Sequence, residues 1–172
     1  MWQRYFGHGV QVIGIDIEPA CRVYEKDGVR VFIGDQADRD FWRRFRAEVP
    51  RVDILIDDGG HDPKQQSVTL EEMLPHLAPG GVFLCEDVHG RHNEFWHMVL
   101  SMSDHLNSTA LQGFMEEPQG LKERRNQPVS AFQKAVKSIS LYPFVVVVEK
   151  HETESHGLVS AKNGTEWQPF LK

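Results

Sequence analysis

"VDILIDDGGH", Val52 to His61, is an apolar run that ends in two aspartates, two glycines and a histidine. A second run, "GVFLCEDVHG", Gly81 to Gly90, ends in Glu86 and Asp87, with His89 close behind. Between them, in "PKQQSVTLEEMLPHLAPGG", Leu70, Met73, Leu74 and Leu77 recur at helical spacing. Pro63 suits the first helical turn, Pro75 is expected to kink the helix, and Pro79-Gly80-Gly81 to end it. Strand, amphipathic helix, strand is the unit of a parallel sheet. The acid pairs then arrive at one edge of that sheet, where like charges repel and burial makes the repulsion worse. Either they are solvated loop residues or something positive sits between them.

The pattern continues on both sides. "VQVIGIDI" (Val10 to Ile17) and "VRVFIGD" (Val29 to Asp35) read as two more β-branched strands ending in acids. "ADRDFWRRFRAEV" places Phe41, Trp42, Phe45 and Val49 on one helical face, stopped by Pro50. "NEFWHMVLSMSDHL" is a further helix. "VKSISLYPFVVVVEK" reads as two strands broken at Tyr142-Pro143, an antiparallel pair at one sheet edge. The expected fold is therefore an α/β parallel sheet with helices on both faces. The polar stretch from Asn107 to Gln127 is expected to be a long loop, and nothing suggests a repeat or a second domain within residues 1–172.

Composition is ordinary for a globular chain of 172 residues: 40% hydrophobic and 26% charged. A net charge of -6 argues against a general nucleic-acid binder, which needs a basic face. No apolar run reaches the length of a membrane span, and the N-terminus lacks the apolar core of a signal peptide. Cys21 and Cys85 fit no metal or redox spacing, and Cys85 reads as a small buried residue. The cytoplasm is the expected compartment.

In open α/β sheets ligands bind beyond the carboxyl ends of the strands. Four strand ends carry acids: Asp16 with Glu18, Asp35, Asp57 with Asp58, and Glu86 with Asp87. A carboxylate at Asp16 suits the two hydroxyls of a ribose. Asp35 with Gln36 suits an adenine edge, although "GDQADRD" also resembles a helix start with Asp35 or Asp38 as cap. Both point to a nucleoside-containing cofactor, and Asp57 is grouped with them. Asp58, Glu86 and Asp87 form an oxygen-only set that suits Mg²⁺ or Ca²⁺ and fits zinc poorly. Gly59-Gly60 allows a tight turn that brings His61 toward these acids. His61 is then either a general base or a residue that caps or packs against the next helix. No GxGxxG, GxSxG elbow or P-loop is present; "GHG" at Gly7 to Gly9 precedes a strand rather than following one.

"VIGIDIEP", "FIGDQADRDF", "DILIDDGGHDPKQQ", "LPHLAPGGVFLCEDVHG" and "GTEWQPFL" together resemble the class I S-adenosylmethionine-dependent methyltransferases. The nearest group is the metal-dependent macrolide-sugar and rhamnosyl O-methyltransferases of the mycinamicin and tetracenomycin type. The resemblance implies a Rossmann-like sheet and Asp58, Glu86 and Asp87 as magnesium ligands. It implies His61 as catalytic base, Asp16 on the cofactor ribose, and Asp35 with Gln36 at the adenine. It also implies a first strand and Gly-rich turn, which in this family precede the point where "MWQRYFG" begins and lie between the strands ending at Asp16 and Asp58. The implied activity is methylation of a sugar hydroxyl on a macrolide or polyketide glycoside, with S-adenosylmethionine and Mg²⁺ as cofactors. A homo-oligomer is compatible with this. Two alternatives stay open: a non-catalytic fragment or scaffold of the same fold, and a metal-dependent, hydroxylase-related relative.

Overall fold

The computed structural model describes residues 2–7, 9–26, 28–90, 92–108 and 129–155. Most of the Asn107 to Gln127 stretch, and "GTEWQPFL", lie outside the described residues.

The elements run in the order α1 (Trp2–Phe6), β1 (Val12–Asp16), a 3₁₀ turn (Pro19–Tyr24), β2 (Val29–Ile33), α2 (Arg39–Glu48), β3 (Val52–Asp57) and α3 (Pro63–Met73). They continue with β4 (Leu77–Cys85), α4 (Glu94–Asn107), α5 (Ala131–Ala135), β5 (Val136–Tyr142) and β6 (Val145–Lys150). Each long helix starts on an acid or amide cap. Asp38 accepts from Asp40 N, Asp62 from Lys64 N, and Asn93 from Trp96 N, each satisfying an amide without an intrahelical partner.

The helix after β3 ends sooner than its apolar spacing predicts. Pro75 has no N–H to donate, so the helix closes at Met73 with Leu74 as its cap. Leu77 therefore belongs to β4, where it pairs with Val52. Ala78 to Gly81 bulge out before the ladder resumes at Ile54↔Val82. Gly80, at φ 73°, donates to His151 O, and Lys150 Nζ donates to Leu77 O at 2.5 Å.

β1 and β2 form a parallel pair. A separate four-stranded sheet runs β3-β4-β6-β5, with β3 and β4 parallel and β6 antiparallel to both β4 and β5. The expected C-terminal hairpin is thus at the sheet edge. One apolar layer nevertheless spans both sheets. Phe41, Trp42 and Phe45 of α2 pack with Val68 and Met73 of α3 against Ile13, Ile15 and Phe32 on one side and Leu55 on the other. Leu55 also borders the second cluster, where Phe83, Cys85, Val146 and Val148 meet Phe95 and Val99 of α4. Helices were expected on both faces; among the described residues α2, α3 and α4 all pack on one. On β3 the alternate residues Ile54 and Ile56 remain 46% and 40% exposed. No helix among the described residues is long and apolar enough to cross a membrane.

Charges join α2 to α3. Arg46 Nη1 and Arg39 Nη1 each lie 2.6 Å from a Glu72 carboxylate oxygen. Arg46 first, then Arg39, holds the Glu72 carboxyl below the usual glutamate range. A lowered folded-state pKa stabilises the fold above the unfolded value, and that contribution is lost as pH falls through the folded one. Glu72→Gln should lower the melting temperature at pH 7, and the difference from wild type should shrink as pH falls below the ordinary glutamate value of about 4.3 and vanish beneath the lowered folded-state value. Parallel melts across that range check it.

β1 and β3 each have a ladder on one side only. Open edges of this kind invite pairing with another chain. The 172-residue chain should therefore melt broadly and associate with rising concentration. Fusing a strand-turn-helix unit of about 30 residues ahead of Trp2 should sharpen the transition. Scanning calorimetry with sedimentation measures both. A sharp monomeric melt of the chain alone would contradict it.

Candidate active site

The carboxyl ends of the strands carry the chemistry. Asp16 ends β1 and accepts from Glu18 N at 2.8 Å. That bond first, then one from the Cys21 thiol, holds its carboxyl below the usual range, so it is ionised at neutral pH and acts only as an acceptor. The raised Cys21 thiol is the counterpart of this contact, with Asp16 the main cause. Asp35 follows β2 and accepts from Ala37 N at 2.8 Å.

Gln36 and Asp57 hold each other. Gln36 Nε2 donates to Asp57 Oδ1 at 3.0 Å and Oδ2 at 3.2 Å, while its Oε1 accepts from Gly60 N at 3.1 Å. Asp57 is buried, and burial pushes its carboxyl up against the opposing bonds from Gln36, Gly59 and Thr69. Both were expected on the cofactor. In this structure the Gln36 amide is committed to a strut between the ends of β2 and β3.

Beyond β3 the chain turns tightly, though the glycines are not where the unusual backbone lies. His61 itself has φ 54°. A Cβ on Gly59 would meet Gln36 Oε1, and one on Gly60 would meet Gln65 Oε1, so either substitution would push a glutamine side chain aside. After β4, Asp87 also adopts a left-handed backbone, φ 53°. Glu86 N donates to Asp57 O, and the buried Gln66 amide donates to Glu86 O at 3.2 Å, which anchors the loop.

These turns bring Asp58, His61 and Asp87 together, with one potential ligand atom from each within 4.8 Å of the others. His61 Nε2 lies 3.6 Å from Asp87 Oδ2. Two exposed carboxylates and an imidazole suit a hydrated divalent cation such as Mg²⁺, which keeps several waters and needs few protein ligands. Glu86, expected as a third oxygen ligand, is outside this group. Cys85 is fully buried, its thiol pushed up by burial, as its apolar setting implied.

Residues 5–88, β1 through β4 with their helices, match the family described as "Methyltransferase domain". Over 166 residues, 93% of this chain and 42% of the relative, the chain is 29% identical to 8-demethyl-8-alpha-L-rhamnosyl tetracenomycin-C 2'-O-methyltransferase of Streptomyces olivaceus. Over 88 residues, 51% of this chain and 22% of the relative, it is 35% identical to Mycinamicin VI 2''-O-methyltransferase of Micromonospora griseorubida. The chain spans less than half the length of these relatives. A solved structure of MycE methyltransferase from the mycinamycin biosynthetic pathway, in complex with Mg, SAH and mycinamycin VI, superposes with a TM-score of 0.69. It is 20% identical and covers 97% of this chain and 42% of that one. The methyltransferase fold is Rossmann-like.

Two features of the site escaped sequence reasoning. One is the Gln36–Asp57 strut. The other is the contact of His89 Nε2 with Asp87 Oδ1 at 3.2 Å; the closeness of His89 to the acid pair was its only signal. If the strut matters, Gln36→Ala leaves a buried carboxyl short of a partner and should cost about 1–3 kcal/mol. Urea unfolding of both proteins measures the difference, and equal midpoints would show that the two sheets need no such tie.

Proposed function

We propose that this chain is the core of an S-adenosylmethionine-dependent O-methyltransferase that methylates a sugar hydroxyl of a macrolide or polyketide glycoside in the cytoplasm, with Mg²⁺. The observation that supports it most is the convergence of Asp58, His61 and Asp87 at the strand ends. The relatives named for such reactions agree with it.

A bound Mg²⁺ supplies Lewis-acid polarisation of an acceptor oxygen. Asp58 and Asp87 would hold it, with Glu86 on the same loop as the further candidate. His61 would take the hydroxyl proton. Asp16 would accept the ribose hydroxyls of the cofactor, and Asp35 would bind its base. The donor is already activated, so much of the rate comes from holding acceptor and donor in line.

His61→Ala should lower kcat by about 10²-fold or more with cofactor affinity nearly kept, read by steady-state kinetics and product mass. Asp58→Asn should abolish the response to Mg²⁺. Full turnover by either variant in metal-free buffer would overturn the assignment, as would a product gaining oxygen rather than one methyl.

One observation favours a second reading, a non-catalytic fold that keeps these residues. The unpaired edge of β1 adjoins Asp16, so the cofactor side of the site lacks a neighbouring strand in the described residues. Calorimetric titration with S-adenosylmethionine and Mg²⁺ separates the two: saturable heat with both supports the enzyme, and none with either supports the second reading.

A further inference from the structure

Among the described residues, three that are not glycine have positive φ: His61 at 54°, Asp87 at 53° and Phe144 at 64°. A left-handed backbone is uncommon without glycine and marks places where surrounding structure imposes it. All three meet in one cluster. Phe144 O accepts from Val88 N at 3.0 Å, so the β5–β6 turn is tied to the loop that carries Asp87. The Phe144 ring lies 4.8 Å from the His89 ring, inclined at 43°. His89 Nε2 in turn lies 3.2 Å from Asp87 Oδ1.

Neither backbone preference nor burial accounts for Phe144. Pro143 followed by a positive φ is the arrangement of a type II turn, which calls for glycine at the second position. A phenylalanine stands there instead, 60% exposed. The ring contact found for it is with His89.

The two oxygens of Asp87 are divided between two imidazoles. Oδ2 faces His61 at 3.6 Å, while Oδ1 faces His89 at 3.2 Å; Asp87 is also one of the three residues grouped with Asp58 and His61. Asp87 is half exposed, and a carboxylate so placed turns freely unless something holds it. With its proton on Nε2, His89 donates to Oδ1 and fixes that rotation. The backbone carbonyl of His89 is itself held by Asn93 Nδ2 at 2.8 Å.

The geometry points to His89 and Phe144 as a positioning pair: the Phe144 ring holds the His89 imidazole, and His89 holds Asp87 Oδ1 so that Oδ2 is presented beside Asp58 to a divalent cation. This rests on the cation reading of Asp58 and Asp87 given above. It adds residues that touch neither the cation nor the substrate, and it explains why a bulky residue occupies a glycine position.

The test uses the full 172-residue chain with Mn²⁺ as the probe, followed by electron paramagnetic resonance, alongside thermal melts. Wild type should bind Mn²⁺ and Asp58→Asn should not. His89→Ala and Phe144→Gly should each weaken binding by about 10- to 100-fold, the range for residues that orient a ligand. His89→Gln, which keeps an N–H donor, should recover most of the affinity. Phe144→Gly relieves the left-handed turn, so its melting temperature should equal or exceed that of wild type while its Mn²⁺ affinity falls. A merely structural ring would lose both together, and that outcome overturns the proposal. Wild-type affinity in His89→Ala or Phe144→Gly overturns it while leaving the cation site standing. No Mn²⁺ binding by wild type overturns the cation reading and the positioning role with it.

Discussion

The Gln36 amide holds the buried Asp57 carboxylate across a boundary where no backbone ladder runs. The ends of β2 and β3 both carry residues of the site, and this contact joins them directly. It is reinforced from below by the apolar layer of α2 and α3, and from the side by the two arginines on Glu72. A buried carboxyl bonded to an amide is costly to break, because removing one partner leaves the other desolvated and unpaired. The arrangement therefore supplies the rigidity that a continuous sheet would otherwise give.

The loops built on this frame have unusual backbones. His61 and Asp87 occupy left-handed conformations, and each lies in a turn anchored by bonds to neighbouring elements. Gly60 N bonds Gln36, Glu86 N bonds Asp57 O, and Gln66 bonds Glu86 O. Disfavoured conformations persist where surrounding contacts over-determine them. Here the result is that an imidazole and two carboxylates approach one another despite the cost of gathering like charges.

The relatives, named as O-methyltransferases of a rhamnosyl tetracenomycin and of mycinamicin VI, are more than twice as long as the aligned part of this chain. Among the described residues, the edges of β1 and β3 are open, and Ile54 and Ile56 on β3 stay exposed.

The sequence by itself determined the order of strands and helices, the parallel β3–β4 unit, the edge hairpin and the identity of the acids at the strand ends. Those follow from local periodicity and turn chemistry. It placed Leu77 on a helix, because apolar spacing continued past Pro75, and only the missing N–H at that proline moves Leu77 into β4. Tertiary structure alone decided which acids meet. Asp58, His61 and Asp87 converge, while Glu86, adjacent in sequence, is outside that group. It also joined Gln36 to Asp57 in a strut, and it brought Phe144 beside His89. Those contacts span from 21 residues, between Gln36 and Asp57, to the distance from β4 to the last hairpin. Local sequence carries no signal across such separations; the packing of sheet and helices sets them.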